Sequence, residues 1–359
     1  MQNDRYCIIM AGGVGSRFWP ISRNSRPKQF LDILGTGKSF IRQTYERFSG
    51  MILPENFLVV TNAKYKDMVL EHIPELREDQ VLCEPLGRNT APCIAYAAYK
   101  LKKLNPNSSM VVTPSDHLVL NGQEFTKIIT EGFEFAENND SLVTVGIKPT
   151  RPDTGYGYIQ IDPADQKGTL NRVKTFTEKP TLEVAKAFVE SGEFFWNSGI
   201  FIWKTKDIIN EFQSHLPEID QLFTSIDSSY NTGDEREAIN KIYPECRNIS
   251  IDYGIMEKAE NVYVRCGDFG WSDIGTWGSL YTFSQKDEES NAVSGEALTY
   301  NTQGCVINLP EGKIAVIQGM KDFIIADTED ALLICPKKDE QDIRRFVEDI
   351  KLKKGTDYI

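Results

Sequence analysis

Histidine is scarce in this sequence. His72, His117 and His215 are the only three in 359 residues, and they lack the spacing of zinc ligands, which argues against a zinc site. Long apolar runs are missing too: none approaches the roughly 18 residues of a membrane span, and the N-terminus has no basic stretch followed by an apolar one. Neither a transmembrane helix nor a recognisable export signal is expected. The seven cysteines (Cys7, Cys83, Cys93, Cys246, Cys266, Cys305, Cys335) include no C-x-x-C pair, and several lie in apolar runs. Such thiols read as reduced, buried groups of a cytoplasmic protein. Positive charge is in deficit, 40 Lys and Arg against 52 Asp and Glu for a net charge of −12. That balance argues against a general nucleic-acid or membrane-surface binder, because counterion-release binding needs a cationic face. An anionic substrate must then be held by a local basic cluster or a metal. With 40% hydrophobic and 26% charged residues, the chain is long enough for one large core and a smaller second one.

What is present is most informative at the start. The apolar run Tyr6-Cys7-Ile8-Ile9-Met10-Ala11 ends abruptly in Gly12-Gly13-Val14-Gly15-Ser16-Arg17-Phe18-Trp19-Pro20, followed by Ser22-Arg23, Arg26 and Pro27-Lys28-Gln29-Phe30. A strand stopping in a glycine loop beside fixed cations suits a polyphosphate, since main-chain N–H groups without Cβ obstruction approach an anion and Arg and Lys neutralise it. A plain tight turn is the alternative. A dinucleotide fingerprint would need a third glycine near Phe18 and a loop opening directly into a helix, which Trp19-Pro20 interrupts. Gly37-Lys38-Ser39 looks like the tail of a P-loop, but no strand feeds it; a surface helix from Ser39 to about Phe48 is expected instead.

Short β-rich runs, Phe57–Thr61, Met110–Thr113 and Leu142–Gly146, alternate with amphipathic stretches such as Ala91–Leu104, which predicts a mainly parallel, doubly wound α/β sheet. Ligands of such sheets bind beyond the carboxyl ends of the strands, where the glycine loop and Pro114-Ser115-Asp116-His117 fall. Strands over Tyr156–Ile161, Val173–Thr177 and Trp196–Trp203 are expected to extend the sheet and cover a second substrate. The polar run Gln285–Ser290 reads as a linker, dividing a domain at 1–285 from one at 286–359. Beyond it, five short apolar runs split by turn residues predict a small all-β unit, sandwich, barrel or β-helix, closed by a helix carrying Ile343, Phe346, Val347 and Ile350 on one face.

Two aspartates are placed to hold a magnesium ion, which typically takes one or two protein carboxylates when bound to nucleotide phosphates. Asp116 follows a strand and Asp273 sits in Gly270-Trp271-Ser272-Asp273-Ile274-Gly275-Thr276-Trp277; a helix cap near His117 and a turn are their ordinary alternatives. In Glu84-Pro85-Leu86-Gly87-Arg88-Asn89-Thr90-Ala91-Pro92, the Glu84 carboxylate could accept from guanine N1–H and the exocyclic amine together, or simply pair with Arg88, with Asn89 or Thr90 capping the next helix. Glu178 and Asn197 suit sugar hydroxyls and Lys179 a sugar phosphate, unless Glu178-Lys179 is an edge-strand charge pair. Asp252 reads as scaffold or as a sugar contact.

Taken together, these segments closely resemble the sugar-1-phosphate nucleotidylyltransferases, and within them the mannose-1-phosphate guanylyltransferases. The resemblance runs over about residues 5 to 280, through the glycine loop, Pro27-Lys28-Gln29-Phe30, the Glu84–Pro92 segment, Pro114–His117, Phe176-Thr177-Glu178-Lys179-Pro180, Trp196-Asn197-Ser198-Gly199, Ser250–Tyr253 and Gly270–Trp277. It implies a Rossmann-like, GT-A-like catalytic fold with a short β-helix-like tail. It implies that mannose 1-phosphate attacks the α-phosphorus of GTP in line, releasing pyrophosphate and giving GDP-mannose without a covalent enzyme intermediate. On this basis Arg17, Lys28, Asp116 and Asp273 are the catalytic residues and Asp116 and Asp273 hold Mg²⁺. Nucleotide binding falls to Ala11, Gly12, Gly13, Gly15, Ser16, Arg17, Lys28, Glu84, Pro85, Arg88, Asn89, Thr90 and Ser115; sugar-phosphate binding falls to Gly157, Glu178, Lys179, Asn197 and Asp252. A homodimer is the family's habit. Longer relatives carry a cupin isomerase domain that this chain is too short to hold, so no isomerase activity is expected. The competing functions are the same chemistry with glucose 1-phosphate and dTTP or UTP, and a non-catalytic relative that senses nucleotide-sugar.

Overall fold

The computed structural model describes residues 4–359. Two compact units are each assembled from three stretches of chain: the residues up to Gly12, Thr44–Ser115 and Val119–Trp271 form the first, and Gly13–Gln43, Asp116–Leu118 and Ser272–Ile359 the second. The strands in chain order are β1 (Arg5–Ala11), β2 (Phe57–Asn62), β3 (Val81–Glu84), β4 (Ser109–Pro114), the two-residue β5 (Leu118–Val119), β6 (Leu142–Ile147), β7 (Gly157–Lys167), β8 (Leu170–Glu178), β9 (Phe194–Lys204), β10 (Val262–Gly267), the two-residue β11 (Trp271–Ser272), β12 (Ala292–Ser294), β13 (Glu296–Tyr300), β14 (Val306–Asn308), β15 (Ile314–Gln318), β16 (Phe323–Asp327) and β17 (Leu332–Pro336). The helices that matter below are α1 (Phe40–Ser49), α2 (Lys66–His72), α3 (Thr90–Leu104) and α4 (Gly122–Asn138).

The first unit is built on a nine-stranded sheet in the order β3-β2-β1-β4-β9-β6-β10-β8-β7. It is mixed but mainly parallel in direction, with β8 and β9 running against the other seven strands. Strands β3, β2, β1 and β4 run parallel, as do β6 and β10, but β9 lies antiparallel between β4 and β6, and β7 and β8 form an antiparallel hairpin. The reason is local. Only Gly168 and Thr169 separate β7 from β8, and a connection that short cannot make the crossover that a parallel pair requires. Helices pack on both faces. The alanine-rich α3 is buried along nearly its whole length and shares a core with Ile8, Val60, Val112 and Trp203, while α4 packs on the other face, where Gly132 leaves room for the Ile202 side chain.

The second unit pairs β12 with β14 and β14 with β16 in parallel, and β13 with β15 in parallel, so successive turns of chain stack as coils; β17 returns antiparallel to β16. Cys305, Ile307, Leu309, Ile317 and Ile325 fill the space between the stacked strands, which makes this the β-helix-like member of the alternatives. Gly295 turns one corner at φ +98, where a Cβ would stand 2.9 Å from the Leu309 carbonyl oxygen. The terminal helix α5, Ile343–Lys354, lays Ile343, Phe346, Val347 and Ile350 on the cluster of Phe18, Trp19, Phe40 and Trp277. The residues after the glycine loop are thus packed with the C-terminal region, and Arg23 reinforces this with two bonds to Asp330 at 2.6 and 2.8 Å.

None of the seven cysteines is in a disulfide, and all but Cys83 and Cys266 are buried. Among the described residues no helix is long and apolar enough to cross a membrane.

Candidate active site

In the second unit the chemistry converges on one lysine. Lys28 opens a short helical turn, Lys28–Phe30, and is 3% exposed. Its ammonium donates to the main-chain carbonyl of Asp273 at 2.7 Å and that of Asp116 at 3.2 Å, and pairs with the Asp116 carboxylate at 2.9 Å. The same nitrogen lies 5.7 Å from the ring centroid of Phe18 and 5.1 Å from that of Phe40. The glycine loop closes over the stem: the Lys28 N–H donates to Val14 O at 3.1 Å, and Gly15 takes φ +77, where a Cβ would stand 2.7 Å from Lys28 Cβ. Gly13, Gly15, Ser16 and Arg17 lie with Lys28, Asp116 and Asp273 in the same unit. Ser16 and Arg17 begin the short turn Ser16–Phe18 that follows the loop.

Both aspartates are held in set orientations. No helix begins at His117; the next one, α4, starts at Gly122 and is capped by Asn121, so Asp116 is not a helix cap. Burial raises the Asp116 carboxyl, but the Lys28 ammonium and His117 more than offset it, and its pKa lies below the ordinary value. Asp273 does make the expected turn contact, its Oδ1 accepting from Gly275 N–H at 3.1 Å. Next to it, Ile274 is fully buried at φ +40, a strained conformation for a β-branched residue. That strain belongs to the turn that aims the Asp273 carbonyl at Lys28. Among the described residues no group of three or more His, Cys, Asp or Glu side chains is arranged to hold a metal by itself.

In the first unit, β1 ends at Ala11, whose carbonyl accepts from Thr61 Oγ1 at 2.8 Å, and Gly12 follows. Ser115 is buried, its N–H donating to Met10 O and its carbonyl accepting from Thr44 Oγ1. Glu84 ends β3 and is 5% exposed. It does not pair with Arg88. Its Oε1 accepts the Tyr243 hydroxyl hydrogen bond, while Arg88 donates to the Pro244 carbonyl. Pro85 follows in the loop; Asn89, at φ 67 and ψ −168, caps α3 with its side chain accepting from Thr90 N–H at 2.9 Å, and Thr90 Oγ1 accepts from Ile251 N–H at 2.8 Å. A polar side chain in a conformation that favours glycine marks this exposed turn as strained.

The sugar candidates also meet in the first unit. Gly157 and Glu178 are register partners of β7 and β8, and a Cβ on Gly157 would collide with the Glu178 carboxylate. Glu178 and Lys179 form an ion pair at the end of β8, where β7 alone flanks the strand because β10 pairs with β8 only at Asn171 and Arg172, so the edge-strand charge pair stands beside the sugar reading. The Lys179 side chain is exposed and its backbone sits at φ 50. Asn197 donates to Asp252 Oδ1 at 2.7 Å and accepts from Gly199 N–H at 3.1 Å. Burial, then the nearby Glu178 charge, pushes the Asp252 carboxyl up to about 6. The residue that sequence reasoning missed is Tyr243: a Tyr-Pro pair with no motif around it gives no sign of a partner 159 positions away.

Comparison with known proteins follows the same lines. A family model described as nucleotidyl transferase matches residues 6–290, and one described as a MannoseP isomerase/GMP-like beta-helix domain matches residues 295–350. A mannose-1-phosphate guanylyltransferase of Klebsiella pneumoniae is 37% identical over 356 residues, 98% of this chain and 75% of that protein. A solved structure described as mannose-1-phosphate geranyltransferase from Thermus thermophilus matches with TM-score 0.86 at 31% identity, over 97% of this chain and 99% of that one. Another, described as mannose-6-phosphate isomerase from Helicobacter pylori, matches with TM-score 0.62 at 29% identity, over 75% of this chain and 99% of that one.

Proposed function

The chain belongs to the nucleotidyl transferase family and, within it, to the mannose-1-phosphate guanylyltransferases, and on that premise we propose how its residues carry out the reaction. The protein is a nucleotidyltransferase that moves GMP from GTP to mannose 1-phosphate, giving GDP-mannose and pyrophosphate. The sugar-phosphate oxygen attacks the α-phosphorus directly, and no protein nucleophile is needed, so catalysis is positioning and charge neutralisation. Main-chain N–H groups of the glycine loop and the Arg17 guanidinium take the triphosphate, with the Lys28 charge behind them. Glu84 reads the guanine edge from a loop formed with Pro85, Arg88, Asn89 and Thr90, flanked by Ala11, Gly12 and Ser115. Glu178, Asn197 and the Gly157 main chain take the mannose hydroxyls; Lys179 takes the sugar phosphate and Asp252 orients Asn197.

The observation that carries this reading is the meeting of Asp116 and Asp273, far apart in sequence, on the ammonium of Lys28. Asp116 offers its carboxylate at this cation position and Asp273 adds a second hard carboxylate from the neighbouring turn, a donor set that suits Mg²⁺ with the remaining ligands left to phosphate and water. Asp116 and Asp273 would hold the ion, which when bound supplies charge neutralisation at the phosphates. The test is pyrophosphate release from a matrix of nucleoside triphosphates and hexose 1-phosphates, with and without Mg²⁺. GTP with mannose 1-phosphate is expected to dominate and to need the metal. Equal or faster turnover of glucose 1-phosphate with dTTP or UTP would move the chain to a sister activity; no pyrophosphate from any pair would leave a binding protein.

Two further properties belong to this proposal. The free thiols fit a cytoplasmic location. The outer face of β13 and β15 carries Leu298, Tyr300, Ile314 and Val316, all exposed, with Leu298 and Val316 in register. A contiguous apolar face of this kind is unusual on a monomer, and a second copy of the chain covers it in a homodimer. Val316→Glu is expected to convert a dimer into a monomer in sedimentation equilibrium; a wild-type protein that is monomeric at tens of micromolar removes the dimer.

A further inference from the structure

Four hydrogen bonds fasten the loop after β3 to one distant segment, residues 243–251. Tyr243 donates its hydroxyl to Glu84 Oε1, and Arg88 Nη2 donates to the Pro244 carbonyl at 2.5 Å. The Ala91 N–H donates to the Ile249 carbonyl at 3.1 Å and the Ile251 N–H to Thr90 Oγ1 at 2.8 Å. The last three hold backbone. Only the first holds a functional group, and it comes from a tyrosine that is fully buried and edge-on to Phe223, at 6.2 Å between centroids and 89° between planes. The Tyr243 ring is thus fixed from behind, and its hydroxyl can serve Glu84 and little else.

The two oxygens of Glu84 differ. Oε1 is occupied by Tyr243, whereas Oε2 accepts no hydrogen bond from the described residues and is not among their fully buried, unpartnered atoms. It lies 3.4 Å from where a Cβ on Gly12 would stand, so the missing side chain at Gly12 leaves that oxygen uncovered. A guanine edge presents N1–H and N2–H₂ side by side and needs an acceptor; adenine presents the N1 acceptor and an apolar C2–H there instead. Resting on the reading of Glu84 as the guanine acceptor, we propose that Tyr243 is the positioning residue of base selection: it holds one oxygen of Glu84 so that the other faces the base.

The charge state of the pair follows from its surroundings. Burial pushes the Glu84 carboxyl up to about 7, and the Tyr243 hydrogen bond keeps it from rising further. The other titratable groups facing the pair are the Cys93 thiol on α3 and the Cys246 thiol beyond the phenol, with Arg88 acting on Cys246. Only the ionised carboxyl accepts from both guanine donors, so binding of GTP weakens as the pH falls through about 7. Removing the phenol hydroxyl destabilises the ionised form and carries that loss to higher pH.

The experiment measures kcat/KM for GTP and for ATP from pH 6 to 9 in the wild type, Tyr243→Phe and Glu84→Gln, with the unfolding midpoint of each. Tyr243→Phe is expected to lower the GTP-over-ATP preference about tenfold at pH 7.5, mainly through KM, and to displace the acid limb upward. Glu84→Gln should erode the preference at least as far and abolish the limb. Incorporating 3-fluorotyrosine at position 243 keeps the ring and strengthens the donor, and should move the limb to lower pH even if the phenylalanine variant folds poorly. A Tyr243→Phe or fluorotyrosine protein with the wild-type preference and limb, beside a Glu84→Gln protein that has lost both, overturns the role of Tyr243 alone. A Glu84→Gln protein that keeps both overturns the base reading as well.

Discussion

Asp273→Asn is expected to lower kcat at least about 100-fold while leaving the folded protein nearly as stable as the wild type. The two effects separate because the side chain and the main chain of Asp273 do different jobs. Its carbonyl accepts from Lys28 at 2.7 Å, and asparagine keeps that carbonyl. Its Oδ1 accepts from Gly275 N–H at 3.1 Å, and an asparagine amide oxygen can accept the same bond. What disappears is a negative charge beside the place assigned to Mg²⁺, where a neutral amide is a poor ligand for a hard cation. Steady-state kinetics over a Mg²⁺ titration, with a thermal melt in parallel, checks both halves. Turnover within about twofold of wild type would remove Asp273 from the metal site.

Lys28→Met is expected to cost turnover and stability together. Methionine retains the apolar stem that packs among Phe18 and Phe40 but removes the donor shared by Asp116 and Asp273. Breaking a buried charge pair on one side leaves the other charge uncompensated, and with two carbonyls also losing their donor the loss is about 3 kcal/mol. Urea denaturation measures it, and kcat should fall by two orders of magnitude or more as the aspartate segments separate. The pH dependence has a definite sign. The Asp116 carboxyl is held below its ordinary value in the folded state, so its contribution is complete above the unfolded carboxyl pKa of about 4 and is lost as the pH falls through the lower folded value. Lys28→Met should flatten that acid limb. If the variant were as stable as wild type and only KM for GTP rose, Lys28 would be a phosphate contact and not the post on which the site is built.

Much of the secondary structure was legible because its signals are local. The run Tyr6–Ala11 does form β1 and ends where the glycines begin; Ala91–Leu104 forms α3 within one residue, and the helix expected from Ser39 runs as α1 from Phe40 to Ser49. The stripe of Ile343, Phe346, Val347 and Ile350 does face a core. Sheet direction was less legible. The buried run Ile200–Trp203 of β9 is as continuous as those of the parallel strands β1, β2 and β4, and which way a strand runs depends on its connections and neighbours, not on its own residues. Pair partners were least legible. Glu84 and Arg88 have ideal spacing for a mutual ion pair, yet each is claimed by the segment at Tyr243 and Pro244.

By itself the sequence determined which residue types could do phosphate, base and sugar chemistry, and where strands and helices begin, because glycine, proline and apolar periodicity act over a few residues. Only the tertiary structure decided that the glycine loop packs with the C-terminal β coils, that Lys28 meets residues 88 and 245 positions away, and that a buried phenol holds the carboxyl at the end of β3. Contacts of that range are set by the burial of whole elements. A lysine enters an interior only where the fold has already placed oxygens to receive its charge.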